Sequence, residues 1–293
     1  MELQGRIDDL QRQGLGLAAI SYDPPETLAA FSRQRGITFP LLSDVGSATI
    51  RRYGILNTVV DEALGSGKDD PSVKADAQRF VSVVPPSSRL VGIPFPGTFV
   101  LDRGGRVTTR AFEDSYVERS TTASILLKTT PGRAPSAATK VSGAHLDLTT
   151  YVNDATVAVG NRFALVLDIV PRRGMHVYAP GAQGYRVVGL SIDPQPFVRH
   201  LPISYPQSEV YHFRPLNERV PVFQKPFRLV QEIVIEATPQ AQAAFKGREA
   251  LTLNGTLEYQ ACDDSICYNP VSVPLSWTMA LRPLVTERPV PPR

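Results

Sequence analysis

Cysteine is nearly absent from this sequence. The chain of 293 residues contains two cysteines, Cys262 and Cys267, and none precedes Cys262. Histidine is also scarce, because only His145, His176, His200 and His212 occur and they show no paired ligand spacing. A zinc site with the usual four cysteine or histidine ligands is therefore disfavoured, and we expect no metal and no cofactor. Any thiol chemistry of the chain must involve the two cysteines.

Long apolar runs and a dominant charge are missing as well. No stretch approaches the ~18 apolar residues of a membrane span. Lys and Arg number 31 against 28 Asp and Glu, without blocks of either sign, which argues against nucleic-acid binding. The start, "MELQGRIDDLQRQ", is polar and typical of a helix instead of a signal peptide. We expect no nucleic-acid partner, no membrane insertion of this chain and no signal peptide in it.

Proline is plentiful, and the length allows two domains. There are 26 prolines, which favours turns, edge strands and linkers over long helices. Residues 129–143, "TTPGRAPSAATKVSG", lack a hydrophobic period and have the composition of a linker. We therefore predict a domain over 1–128, a linker over 129–143, a second domain over 144–285 and a tail over 286–293.

The two predicted domains differ in their patterns. In the first, strand and helix signals alternate: "LGLAAISYD" is typical of a buried strand, "ETLAAFSRQRG" of a helix closed by Gly36, and "GTFVLDRGGRVTTRAF" of two strands around a Gly-Gly turn. In the second, segments such as "RFALVLDIV", "LTLNGTLEYQA" and "VSVPLSWTM" either alternate with the two-residue period of strands or run β-branched between turn residues. The fold class predicted is an α/β domain followed by an all-β sandwich.

The cysteines fall at the two ends of a predicted turn. Cys262 ends one strand signal and Cys267 begins the next, so the thiols should face each other within reach of a disulfide. As a staple, a loop of about six residues would contribute only roughly 2 kcal/mol. The spacing leaves open a reversible redox pair, a structural disulfide, a metal site or two unpaired thiols. Asp263 and Asp264 lie between the cysteines, where carboxylates raise the pKa of a thiol.

The cysteine segment, "YQACDDSICYNPVSVPL", resembles the hairpin of the immunoglobulin-like amino-terminal domain of the DsbD thiol:disulfide interchange family. The spacing between the cysteines is one residue shorter than is common there, and Asn269 stands where proline is frequent. The resemblance implies that Cys262 and Cys267 are the exchanging pair. It also places His176 and Tyr178, in "RRGMHVYAPG", at the aromatic positions beside the site. The segment "SEVYHFRPLNERVPVF" corresponds to a cap loop, in which Tyr211 or Phe213 would cover the disulfide.

The first half resembles peroxiredoxin-like members of the AhpC/TSA branch of the thioredoxin superfamily. The similarity lies in "LGLAAISYDPPETLAAFSRQRGITFPLLSD" and "GIPFPGTFVLDRGGRV", and it implies a cis bond between Phe95 and Pro96. In that family a strand and a cysteine turn precede the first helix, with which this chain begins. We therefore expect an incomplete thioredoxin-like domain that lacks part of its core.

Together the resemblances imply a thiol–disulfide oxidoreductase that acts through Cys262 and Cys267. Its partners would be thioredoxin-like or membrane-embedded exchange proteins, and its location periplasmic or otherwise extracytoplasmic. Antioxidant, peroxide-reducing activity is expected only of a longer form. The alternative is an extracytoplasmic interaction module whose disulfide is merely structural.

Overall fold

The protein is described by a computed structural model that covers residues 2–60, 69, 71, 74, 78, 91–112, 118–129, 135, 137–213 and 217–283. It divides into one compact unit that reaches to Ile125 and a second that spans Leu126–Leu284. The predicted tail, 286–293, and much of the predicted linker lie outside the described residues. No helix in the described ranges is long and apolar enough to cross a membrane.

The first unit combines short helices with strand pairs. Its elements are α1 (Glu2–Gly5), α2 (Ile7–Arg12), β1 (Ala19–Ser21), α3 (Pro25–Arg35), β2 (Leu41–Ser43), α4 (Ala48–Arg52), β3 (Gly97–Leu101), β4 (Val107–Phe112) and β5 (Arg119–Ser120), followed by α5 (Thr122–Thr129) at the junction. Strands β1 and β2 are parallel, and β3 and β4 form an antiparallel hairpin. The predicted hairpin is confirmed.

Helix α3 begins and ends as its sequence predicts. Pro25 occupies the first turn, where a missing N–H costs nothing. Gly36 follows the last turn with a φ of 62°, and its N–H donates to the carbonyl of Arg33. This left-handed conformation is easy for glycine and strained for most other residues, so the helix ends there.

Two predictions for the first unit are wrong. "LGLAAISYD" does not form a buried strand: only Ala19–Ser21 is a strand, and Ile20 is 42% exposed. Strand β1 pairs only with β2 among the described strands, so its faces are incompletely covered. The bond between Phe95 and Pro96 is trans, as are all other described peptide bonds. The Phe95 N–H donates to the Ile55 carbonyl, and the chain continues extended into β3, so the preferred trans isomer is kept.

The second unit is mostly β. Its strands are β6 (Thr139–Ser142), β7 (Leu146–Val152), β8 (Thr156–Val157), β9 (Asn161–Pro171), β10 (His176–Tyr178), β11 (Gly189–Ile192), β12 (Val198–His200), β13 (Glu209–Phe213), β14 (Glu218–Phe223), β15 (Phe227–Ile235), β16 (Ala250–Tyr259), β17 (Ala261–Cys262) and β18 (Val271–Leu281), with one helix, α6 (Pro239–Phe245). The segments predicted as strands from their two-residue period form β7, β9, β11, β15, β16 and β18.

Two sheets of this unit enclose the main core. One has the order β12-β15-β9-β7-β6 and the other β11-β16-β18-β8. Side chains of both sheets belong to one buried cluster, which includes Phe163, Leu165 and Leu253. Trp277 donates its indole N–H to the Thr150 hydroxyl at 2.9 Å, which joins the sheets by a buried hydrogen bond. The predicted β-sandwich is confirmed.

The second unit also extends further toward the amino terminus than the predicted sandwich. Thr139–Ser142, at the end of the predicted linker, form β6 and pair with β7. A short polar strand at a sheet edge has no hydrophobic period. Its sequence therefore cannot be distinguished from that of a linker.

A third, smaller sheet has the order β13-β14-β10-β17. It brings together chain segments that are distant in the sequence, from β10 at His176 to β17 at Cys262. Four of its buried side chains form a cluster separate from the main core: Tyr178, Val220, Val222 and Cys262. This sheet positions the candidate site.

Candidate functional site

The two cysteines form a disulfide at the end of a tight loop. Their Cα atoms are 4.1 Å apart, and the two residues form an isolated antiparallel bridge. Cys262 also pairs with His176 across β17 and β10. The predicted geometry, with the cysteines facing each other across a turn, is therefore confirmed.

The two cysteine residues differ in burial. Cys262 is fully buried in the small sheet, at 0% exposure. Cys267, at the other end of the loop, is exposed, and so is its neighbour Ile266. A reagent in solution can therefore approach the Cys267 side of the bond, whereas Cys262 is covered by protein.

The hydroxyl of Tyr178 contacts both sulfurs of the disulfide. Its hydroxyl is 3.0 Å from the Cys262 sulfur and 3.3 Å from the Cys267 sulfur. The side chain is 2% exposed, and this burial is the main reason why the pKa of its hydroxyl is raised far above the ordinary value. Tyr178 therefore keeps its proton and can donate a hydrogen bond to sulfur.

His176 and Tyr211 pack beside the loop. The His176 ring lies 4.3 Å from the Tyr211 ring and 5.8 Å from the Tyr178 ring, measured between centroids. Burial lowers the pKa of His176, although Asp264 and Asp263 oppose this effect. The neutral imidazole therefore serves as a packing surface in this small cluster.

The two aspartates of the loop have different roles. The Asp263 carboxylate accepts from the N–H groups of Ser265 and Ile266, both at 2.7 Å, and from the Tyr268 hydroxyl at 2.9 Å. The bond from the Ser265 N–H is the largest cause of its lowered pKa. Asp264 accepts the hydroxyl of Tyr211 at 2.5 Å. Asp263 therefore shapes the loop, and Asp264 joins it to β13.

The segment predicted as a cap loop contains a hairpin, and this prediction is corrected. Glu209–Phe213 and Glu218–Phe223 form the antiparallel strands β13 and β14. Burial alternates along β13, in which Val210 is 75% exposed and Phe213 is buried. Tyr211 packs against the cluster that contains Cys262, to which Phe213 does not belong. Of the two predicted cap residues, the structure brings Tyr211 to the disulfide loop.

Two residues beside the site escaped the sequence analysis. The Tyr185 ring stacks on the Tyr178 ring, with centroids 4.0 Å apart and planes 12° apart, and its hydroxyl donates to Glu218 at 2.6 Å. Tyr185 follows Gly184 outside any strand, and Glu218 is one of 28 acidic residues in the sequence. No local pattern distinguishes either residue.

No described group of histidine, cysteine, aspartate or glutamate side chains could hold a metal ion. Pro96 lies in the first unit, which contains no cysteine. The first unit itself therefore provides no thiol partner for Pro96.

The two halves of the chain match two different families. Residues 1–110 match the AhpC/TSA family, and residues 149–273 match the amino-terminal region of the thiol:disulfide interchange protein DsbD. The DsbD-like segment contains both cysteines, His176, Tyr178 and Tyr211. The two matches together support an oxidoreductase of the thiol–disulfide type.

Curated relatives of the AhpC/TSA-like segment align with this chain over a short stretch only. Proteins named as peroxiredoxins from two strains of Mycobacterium tuberculosis are each 38% identical to this chain over 53 residues. The alignment covers 18% of this chain and 34% of each relative. The chain thus spans about a third of the length of these relatives.

The DsbD-like unit has solved structures of distant similarity. The DsbD amino-terminal domain of Neisseria meningitidis in its reduced form is 15% identical, with a TM-score of 0.28, over 40% of this chain and 81% of that one. The amino-terminal periplasmic domain of ScsB from Proteus mirabilis is 12% identical, with a TM-score of 0.32, over 48% of this chain and 50% of that one. At these scores neither likeness carries an argument about function.

Proposed function

We propose that this protein is a thiol–disulfide oxidoreductase that exchanges electrons with a partner dithiol through Cys262 and Cys267. The observation that carries the proposal is the asymmetry of the pair: Cys267 is an exposed residue, whereas Cys262 is fully buried with its sulfur beside the Tyr178 hydroxyl. In a disulfide between an exposed and a buried cysteine, a partner thiolate reaches the exposed cysteine more easily, so the buried cysteine becomes the leaving group.

The proposed reaction begins at Cys267. A partner thiolate attacks the Cys267 sulfur, a mixed disulfide forms between the partner and Cys267, and Cys262 leaves as a thiolate with the electron pair of the broken bond. The second thiol of the partner, as a thiolate, then attacks the mixed disulfide and releases Cys267. The partner dithiol is oxidised to a disulfide, and this chain is reduced to a dithiol. The reverse sequence reduces a partner disulfide.

Tyr178 would stabilise the leaving group. A thiolate at buried Cys262 lacks water, and this desolvation disfavours its charge. The Tyr178 hydroxyl, 3.0 Å away and with a raised pKa, can donate to that thiolate without losing its own proton. Hydrogen bonds to charged groups are about twice as strong as neutral ones.

The partners that fit this chemistry are proteins with an accessible dithiol or disulfide, such as thioredoxin-like or membrane-embedded exchange proteins. We place the exchange outside the cytoplasm, because disulfides persist in oxidising compartments. The match to the DsbD interchange protein supports both assignments.

For the first unit we propose a thioredoxin-like fold. The AhpC/TSA match and the parallel pair β1 and β2 next to α3 support it. Peroxide reduction belongs to this proposal only for a form of the protein with a thiol near Pro96, since both cysteines of this chain lie in the second unit.

A redox titration of the disulfide tests the function. Equilibration with defined glutathione or dithiothreitol buffers, followed by alkylation and mass analysis, gives the reduction potential of the pair. Exchange proteins have potentials between about −120 and −270 mV. A potential below about −300 mV would instead identify a structural disulfide and an interaction module.

A further inference from the structure

Beside the disulfide lies a pair of residues that the proposed reaction does not use. Glu218 accepts the hydroxyl of Tyr185 at 2.6 Å, and the Tyr185 ring lies parallel to the Tyr178 ring at 4.0 Å. Tyr178 in turn contacts both sulfurs. A continuous series of contacts therefore leads from the Glu218 carboxylate to the disulfide.

The fold holds the ends of this series together. Glu218 begins β14, and β14 pairs with β10, which carries Tyr178. Tyr185 lies between β10 and β11, outside either strand, and its hydroxyl links this segment to β14 through Glu218. Its hydrogen bond to a carboxylate is charge-assisted, which is the stronger class of hydrogen bond.

We infer that Glu218 and Tyr185 are positioning residues for exchange at Cys262 and Cys267: the carboxylate fixes Tyr185, and the Tyr185 ring holds the Tyr178 hydroxyl beneath the disulfide. This inference rests on the proposed function, because it concerns the rate at which the same bond opens. It assigns Glu218 and Tyr185 no contact with the reacting sulfurs.

The charge of Glu218 makes the role testable. As a negative charge alone, Glu218 would oppose a thiolate forming at Cys262, so its removal would speed opening of the disulfide. If Glu218 fixes Tyr185, it keeps the Tyr178 hydroxyl in place to donate a hydrogen bond to that thiolate. Its removal then slows opening of the disulfide. The two roles predict rate changes of opposite sign.

The experiment measures reduction of the disulfide in the full chain by dithiothreitol at fixed pH. Glu218→Met removes both charge and acceptor, Glu218→Gln keeps an acceptor, and Tyr185→Phe keeps the ring but not the hydroxyl. We expect Glu218→Met and Tyr185→Phe to slow reduction about threefold to tenfold, because a poorer leaving thiol departs more slowly. Glu218→Gln should fall between them and the unchanged protein.

Glu209→Gln is the matched control. Glu209 is a carboxylate of the same hairpin, but it pairs with Lys225, and its replacement should leave the rate unchanged. In a Tyr178→Phe background, Glu218→Met should add no further slowing. Thermal unfolding of every variant checks the fold, and Tyr185→Phe, which loses only one oxygen, serves as the variant least able to disturb it.

Faster or unchanged reduction in Glu218→Met, or an undiminished effect in the Tyr178→Phe background, would overturn the inference. The proposed function is judged separately, by the reduction potential of the unchanged protein. A structural disulfide can also be opened by dithiothreitol, so the ratio of variant to unchanged rates is measurable whatever that potential is.

Discussion

The two units of this protein differ in packing and in chemistry. Among the described residues, the first unit has seven exposed large hydrophobic side chains and the second unit has three. Those of the first unit are Ile20, Leu42, Val45, Val91, Leu101, Val107 and Phe112. The second unit contains long series of fully buried residues, such as Phe163–Leu167 in β9, each at 1% exposure or less. Among the described residues, the unit that matches the AhpC/TSA family thus exposes more large hydrophobic side chains than the second unit does. It also contains no cysteine.

This difference bears on where the chemistry can reside. A thiol buried against a tyrosine hydroxyl keeps its geometry only if the strands around it are well supported. The small sheet that carries Cys262 belongs to the densely packed unit and contributes buried Val177, Ala261 and Phe223 to the main core. The disulfide and the larger buried core therefore occur together in the second unit.

Removing both cysteines is the most drastic way to test this comparison. Cys262→Ser with Cys267→Ser should abolish thiol–disulfide exchange completely, since the chain has no other cysteine. The unchanged chain should show no hydroperoxide reductase activity, because the first unit contains no thiol that could form a sulfenic acid. Peroxide turnover that survives in the double variant would mean that the first unit carries chemistry of its own.

A pair of core truncations tests the difference in packing. Leu165 is fully buried, so Leu165→Ala should lower the free energy of unfolding of the second unit by about 3 kcal/mol. Ile20→Ala in the first unit should change it by less than about 0.5 kcal/mol, because Ile20 is 42% exposed. Denaturant unfolding, followed separately for the two units, measures both values. Equal losses at the two positions would contradict the proposed contrast in packing.

Alkylation tests the asymmetry of the pair within the second unit. In Cys262→Ser the remaining Cys267 is exposed, whereas in Cys267→Ser the remaining Cys262 is buried. Iodoacetamide should therefore modify Cys267 at least about tenfold faster than Cys262. Mass spectrometry at timed intervals measures the two rates, and similar values would remove the assignment of Cys267 as the attacked sulfur.

Tyr211 offers a test with a smaller expected effect. Its hydroxyl bonds to Asp264, and its ring packs against the cluster containing Cys262. Tyr211→Ala should speed reduction of the disulfide by a small thiol about twofold to fivefold, because a covering ring excludes reagent. Phe213→Ala, outside that cluster, is the control for loss of a ring from the same strand. An unchanged rate in Tyr211→Ala would exclude Tyr211 as a cover.

The pH dependence of stability gives the most subtle test. Burial lowers the pKa of His176 below its ordinary value of 6.5, so the folded protein keeps this imidazole neutral. Its contribution to stability is therefore complete above pH 6.5 and is lost as the pH falls through the lowered pKa. His176→Phe should weaken that acid-side loss in urea unfolding, while exposed His212→Gln should retain it. A parallel decline in His176→Phe and the unchanged protein would contradict this role.

Local patterns were enough to predict part of this structure. The alternation along β16 and β18 and the apolar run of β9 are properties of consecutive residues, and the two cysteines lie close in sequence. The strands and the disulfide could therefore both be predicted from short windows of sequence. The hairpin of β13 and β14 was missed because the family resemblance placed a cap loop in this segment. Pro221 within β14 also obscures the strand, since proline usually argues against one. The pairing of Tyr185 with Glu218 joins residues from separate segments, which no single window of sequence contains.

The small sheet also limits how this site could be transferred to another protein. A graft of the loop from Cys262 to Cys267 would reproduce the disulfide and the Asp263 turn, since those bonds are local. It would leave behind Tyr178, which comes from a different strand. Such a graft should behave as a simple peptide disulfide, and an engineered exchange site would need β10, β14 and β17 as one transplanted unit.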